Sequence, residues 1–181
     1  MKARRGFRIK SFTSEKEMRR WIYRIGKVYN ESFSDNWEYC PLTQEEMDVV
    51  ADRLIAIADP RLIKLVMKGE EIVGFVFAFP DISAAIQKTK GRVWPFGWIY
   101  LLREFKRTHW VNLNGLGLLE AHRGVGANTV LYTELARSVK DFGFEHADVV
   151  QVEENNTKSL GEMAAIGVKW YKRHRIYRRV L

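Results

Sequence analysis

The stretch "LLEAHRGVGANTVLYTELA" (residues 118–136) decides how the rest of the chain is read. An apolar run ends at Leu119, Gly124 and Gly126 stand one residue apart, and a helical pattern follows with no acid near its start. A helix entrance leaves about four backbone N–H groups unpaired and carries roughly half a positive charge. Two glycines remove side chains where an anion would approach, and Arg123 adds charge at the edge. These features describe an anion-binding nest suited to a phosphate or pyrophosphate. A tight strand-to-helix turn would use the same glycines, and the motif alone does not separate the two readings.

Outward from this turn, the preceding segment "HWVNLNGLGLLE" reads as a strand whose internal glycines indicate a bulge or a close backbone approach. Val130, Leu131, Leu135, Val139 and Phe142 form one helical stripe, and Gly143 supplies its stop. "HADVVQV" is the next strand and "NTKSLGEMAAIG" a helix ended by Gly167. The basic tail from Lys169 alternates like a final strand. In the N-terminal half, "FRIKSF" reads as a strand. Ser14 with Glu17 has capping-box spacing for a helix to about Ser32, and Thr43 with Glu46 opens another to about Ile57. "RLIKLVM" and "IVGFVFAFP" flank the turn "KGEE" as a hairpin. Asp81 caps a short helix, and another is expected from Gly97 to about Glu104. Strand and helix alternate toward the C-terminus, which indicates an α/β sheet.

The 181 residues are expected to form one domain, with 46% hydrophobic and 29% charged residues. The start is basic but lacks the apolar run of a signal peptide. The most apolar window, "VWPFGWIYLL" (93–102), is far shorter than the roughly 20 residues of a membrane span. A single Cys40 excludes an internal disulfide and offers no metal-ligand spacing, so no metal is expected and a reducing cytoplasm is the natural location. The net charge of +8 attracts polyanions without saying which. Six Lys or Arg and no acid lie between Lys169 and Leu181. No nucleic-acid-binding signature accompanies them, so nucleic acid is not expected as a partner.

The run from Leu118 to Val168 resembles the coenzyme A-binding half of the GNAT acyltransferase superfamily. That pattern is a strand, R-G-x-G-[IA]-[GA], a long helix ending in Gly, a strand, then N-x-x-[AS]-x-x-x-Y-x-x-x-G-F. Arg123, Gly124, Gly126, Ala127, Asn156, Ser159, Gly167 and Val168 fall at its spacing. The order of elements from Phe7 onward also fits. "VWPFGW" and "KRHRIY" look like phrases of one poorly characterised bacterial branch, whose members are often longer with this domain at the C-terminal end.

The resemblance implies a mixed central sheet with helices on both faces and a splayed pair of central strands. It implies acetyl-CoA or another acyl-CoA as co-substrate and a small amine or amino-acid-like acceptor that attacks the thioester directly. A carrier-protein thioester is an alternative donor. Amides of Val125, Gly126, Ala127 and Asn128 would cradle the pyrophosphate, with Arg123 at the rim. Pantetheine would pair with the backbone of Leu118 in the gap beside the strand 147–152, and Asn156 would hold its arm.

The sequence departs from the pattern at Met163, where the family usually carries a tyrosine acid, because a thioether cannot donate a proton. Tyr171 and Tyr177 are the nearest alternatives by chain order. A catalytically silent module that binds CoA or another anion is the competing reading. Glu120, at the end of the central strand, is the candidate base, with Glu153 and Glu154 behind it. Each reads more readily as a solvated carboxylate, since exposed carboxylates are common. His122 adjoins the loop and could touch a phosphate, though a lone histidine is more often a surface residue, and His174 reads as structural or solvated. Asn112 and Asn114 alternate with Val111 and Leu113 and would face an acceptor or satisfy a bulge. Asp35, Asn36, Trp37, Glu38 and Tyr39 form the loop that in the family borders the acceptor. "VWPFGWIYLL" reads as packed hydrophobic structure, an acceptor wall or a homodimer contact.

Overall fold

The computed structural model describes residues 6–36, 39–149, 151–177 and 179. The chain divides into two compact units, Met1–Val150 and Gln151–Leu181.

In the first unit, β1 (Phe7–Ser11) leads to α1 (Glu15–Arg19), whose N-cap Ser14 accepts from the Glu17 amide at 3.2 Å. The capping box is only half formed. The Glu17 carboxylate takes the Thr13 amide and hydroxyl at 2.9 and 3.0 Å and pairs with Lys10 of β1. The single helix expected to Ser32 is divided, with α2 running Ile22–Phe33. Arg20 and Trp21 donate to the carbonyls of Glu17 and Met18, three residues back, and this tightened turn ends α1. At Thr43 the reciprocal box is complete and opens α3 (Gln44–Ile57).

β2 (Ile63–Lys68) and β3 (Glu71–Pro80) form the expected hairpin. α4 (Ser83–Lys88) and α5 (Gly97–Arg107) precede β4 (Trp110–Leu118). Then come α6 (Ala127–Asp141) and β5 (His146–Val149). The five strands lie in chain order, antiparallel except for the parallel pair β4–β5. One face of the sheet buries Phe12, Met18, Ile25, Val28, Ile55, Leu65, Phe75 and Phe79 with α1, α2 and α3. The other buries Val66, Val76, Val111 and Leu118 against Ala127, Leu131 and Leu135 of α6. This is the helix-on-both-faces arrangement that alternating strand patterns require. α6 ends at Gly143 with paired bonds, Phe144 N to Val139 O and Gly143 N to Lys140 O, both near 3.0 Å.

β4 is bulged. Phe77 pairs with Gly115 and Ala78 with Leu113, so Asn114 is the extra residue. The β4–β5 pairing runs only from Trp110↔His146 to Leu113↔Val149. From Asn114 to Leu118, β4 therefore has no strand partner on that side among the described residues, as expected of a splayed pair.

Two expectations fail. The strand "HADVVQV" stops at Val149; Val150 lies outside the described residues, and 151–153 are not strand. The tail contains no strand among its described residues. Charge occupies both faces of its alternation, so no apolar face is available to bury against a sheet. In the second unit, α7 (Thr157–Ala165) is capped by Asn156 and closed by Val168 N to Met163 O at 3.0 Å. No helix among the described residues is long and apolar enough to cross a membrane.

Candidate functional site

β4 ends at Leu118, Glu120–His122 make one 3-10 turn, and the RGVG turn delivers the chain to α6. Gly124 and Gly126 have φ of 73° and 93°, a left-handed backbone that L side chains rarely adopt. A Cβ placed on either would meet nothing within 4 Å. The glycines are thus required by backbone angle, and the space in front of them is open. Gly126 is the N-cap of α6, which has no side-chain cap and no acid in its first turn. Ala127 is fully buried and Val125 packs on the α6-side core. Two side chains of the turn are therefore directed inward. A helix entrance of this kind offers its N–H groups and its partial positive charge to an anion.

Leu119 N donates to Val73 O at 3.0 Å. Successive strand residues turn their N–H and C=O toward opposite edges, so Leu118 presents its own pair to the edge away from β3. The Leu118 carbonyl there accepts from Arg123 Nε at 3.1 Å, and Arg123 Nη2 donates to Ser32 O, also at 3.1 Å. Arg123 thus ties the end of β4 to the last turn of α2, where a cation also meets the negative end of the helix dipole. The Leu118 N–H remains directed at the splayed edge. The turn and that edge together fit a diphosphate followed by an amide-bearing arm. Arg123, expected at the phosphate rim, is committed to backbone carbonyls.

Beside this edge, Gly117 makes the close approach that the sequence suggested. Its Cβ would lie 2.5 Å from the Phe75 ring and 2.9 Å from Ser32 Cβ. Ser32 is 6% exposed, and its Oγ has no hydrogen-bond partner among the described residues. Sequence reasoning passed over it. The available signal was a hydroxyl continuing the stripe Ile22, Ile25, Val28 on an otherwise apolar helix face.

The loop after α2 is organised by Asn30, another residue the sequence reading missed. Its Oδ1 accepts from Tyr39 Oη at 2.6 Å and from Leu42 N at 3.0 Å, while Nδ2 donates to Leu42 O at 2.9 Å. Tyr39 joins Tyr29, Phe33 and Phe75 in an aromatic cluster with centroid separations of 4.9–6.3 Å. Burial, with Tyr29 and Cys40 nearby, raises the Tyr39 phenol above its ordinary range. Asp35 is exposed, and Trp37 and Glu38 lie outside the described residues. Val111, Leu113, Leu116 and Leu118 join the α6-side core, which leaves Asn112 on the α2 side. Asn114 is exposed at the bulge.

Glu120 is exposed at the start of the 3-10 turn, and the His122 ring meets Phe7 edge-on at 6.0 Å. In the second unit, Asn156 Oδ1 accepts from Ser159 N at 3.0 Å, so its oxygen serves the helix. Met163 is buried, whereas Tyr171, Tyr177, Glu153, Glu154 and His174 are exposed.

The profile of the Acetyltransferase (GNAT) family matches residues 22–167. Protein YghO of Escherichia coli K12 is 26% identical over 161 residues, covering 84% of this chain and 41% of its own. The bacterial ceramide synthase of Caulobacter vibrioides is 25% identical over 166 residues, covering 88% of this chain and 43% of its own. The chain thus spans about two-fifths of the length of these relatives. Among solved structures, AAC(6')-Iy in complex with a CoA-linked bisubstrate analogue superposes with a TM-score of 0.60 at 14% identity, over 97% of this chain and 99% of that one.

Proposed function

Because the chain belongs to the GNAT acetyltransferase family, we propose that it transfers an acyl group, acetyl in the simplest case, from a coenzyme A thioester to the amine of a small acceptor. The 181 residues are taken as one working domain. The observation that carries this reading is the open, uncapped turn of Gly124 and Gly126, which follows a strand whose last residues have no strand partner on one side among the described residues.

In this reading the amides of Val125, Gly126, Ala127 and Asn128 hold the diphosphate, and the Leu118 N–H orders the pantetheine arm. Arg123 braces the wall between β4 and α2 and leaves the phosphate to the turn. Coenzyme A supplies the activated thioester. The acceptor nitrogen attacks the carbonyl carbon, the carbon–sulfur bond breaks, and an amide and a free thiol result. The proton lost by the amine passes to Glu120 or to water, and the thiolate regains one from solvent. Positioning of the two reactants carries most of the acceleration. The acceptor lies against Asp35, Tyr39, Asn112 and Asn114.

Thiol release, followed with a thiol-reactive chromophore, tests this reading across a panel of amines. The panel includes an aminoglycoside and a long-chain amino alcohol, since one structural neighbour is an aminoglycoside N-acetyltransferase and one relative is named a ceramide synthase. Amine-dependent release is expected, and Glu120→Gln lowers kcat at least tenfold near neutral pH while leaving CoA affinity unchanged. If CoA fails to raise the melting temperature, the reading is wrong. The second reading, a silent CoA-binding module, is favoured by Met163; stabilisation by CoA without release from any amine would select it.

A further inference from the structure

The segment Lys88–Arg107 has no role in the reading above, and its surface is unusual. The aromatic stretch expected to be packed lies open to water. Trp94 is 82% exposed, Phe96 68% and Leu102 56%, and Val93, Trp98, Ile99 and Tyr100 are exposed as well. The turn that displays them is built, with Trp98 Nε1 donating to Pro95 O at 2.9 Å and Trp98 N to Val93 O at 3.0 Å. α5 packs against α4. Its residues Trp98, Leu101, Leu102 and Phe105 recur at the spacing of one helix face. Around them stand six exposed cations, Lys88, Lys90, Arg92, Arg103, Lys106 and Arg107, with Glu104 the single acid of the segment.

We propose that the α4–α5 hairpin docks on an anionic lipid bilayer, with the rings of 93–102 entering the headgroup–acyl boundary. The cations then meet lipid phosphates. Exposed Trp and Phe flanked by Lys and Arg match the composition of helices that lie in a membrane interface. Charge selects the occupant. A second copy of this chain would bring six cations against six, whereas an anionic leaflet brings the opposite sign and also accepts the apolar rings. The inference is independent of what the glycine turn binds.

Co-sedimentation of the 181-residue chain with vesicles tests it. Binding is expected to equimolar phosphatidylglycerol–phosphatidylcholine vesicles and to fall at least tenfold on pure phosphatidylcholine. Trp94→Ala/Phe96→Ala weakens binding at least tenfold with an unchanged melting temperature. The matched tail variant Ile176→Ala/Tyr177→Ala, also exposed and apolar, binds like the parent chain. Absence of binding to the anionic vesicles overturns the proposal, as does loss of binding in the tail variant alone. A lipid-free dimer dissolved by Trp94→Ala/Phe96→Ala would assign the rings to a second copy instead and equally overturn it.

Discussion

Gly126, at a φ of 93°, separates two effects that a single substitution would confuse. Any L residue there pays for the left-handed backbone, about 1–2 kcal/mol, yet its Cβ meets nothing within 4 Å. Gly126→Ala and Gly126→Asp therefore share the strain, and their difference isolates the charge. Both are expected to lower the melting temperature alike, and only Gly126→Asp abolishes CoA binding by calorimetry. Gly117 lies at the opposite extreme, since its Cβ would overlap Phe75 and Ser32. Gly117→Ala is expected to destabilise by about 1–3 kcal/mol in urea unfolding, the usual cost of overpacking. The glycines of the turn were legible in the sequence because their spacing is local. The commitment of Arg123 to Leu118 O and Ser32 O was not, because Ser32 lies 91 residues away along the chain.

Among the elements, those announced by local chemistry match their expectations. The Thr43–Glu46 box, the hairpin around Gly69 and the stop at Gly143 all follow from residues within a few positions of one another. The break between α1 and α2 was not legible, because the apolar spacing runs on through it. At the other end of α1, the Glu17 carboxylate joins the helix start to β1. Its bonds to Lys10 and then to Thr13 lower its carboxyl from 4.5 to about 2. The ionised form is thus favoured in the folded chain, so this stabilisation is complete above about pH 4.5 and is lost as pH falls toward about 2. Thermal melts over that range are expected to fall more steeply with acid for the parent chain than for Glu17→Gln. Equal slopes would show that Glu17 is not linked to folding. In the next loop, Asn30→Ala removes the two bonds holding Leu42 and the one holding Tyr39. Faster amide exchange confined to residues 36–43 is expected, and unchanged exchange would mean that the aromatic cluster alone holds the loop.

At the scale of the whole molecule, a net charge of +8 attracts anions without saying which, and the fold divides that charge between regions of different character. The glycine turn offers backbone N–H groups in open space, whereas α4–α5 offers cations among exposed rings. The tail, a strand in expectation, adds cations without sheet structure in its described residues. Long-range placement of this kind is invisible to periodicity. The account's central claim is that the amides of the 124–128 turn grip a diphosphate, and calorimetric titration with CoA and with pantetheine, which lacks that group, tests it directly. CoA is expected to bind at least 100-fold more tightly than pantetheine, about 2.7 kcal/mol, with the difference erased in Gly126→Asp. Equal affinities for the two ligands, or a preference that survives Gly126→Asp, would contradict the claim.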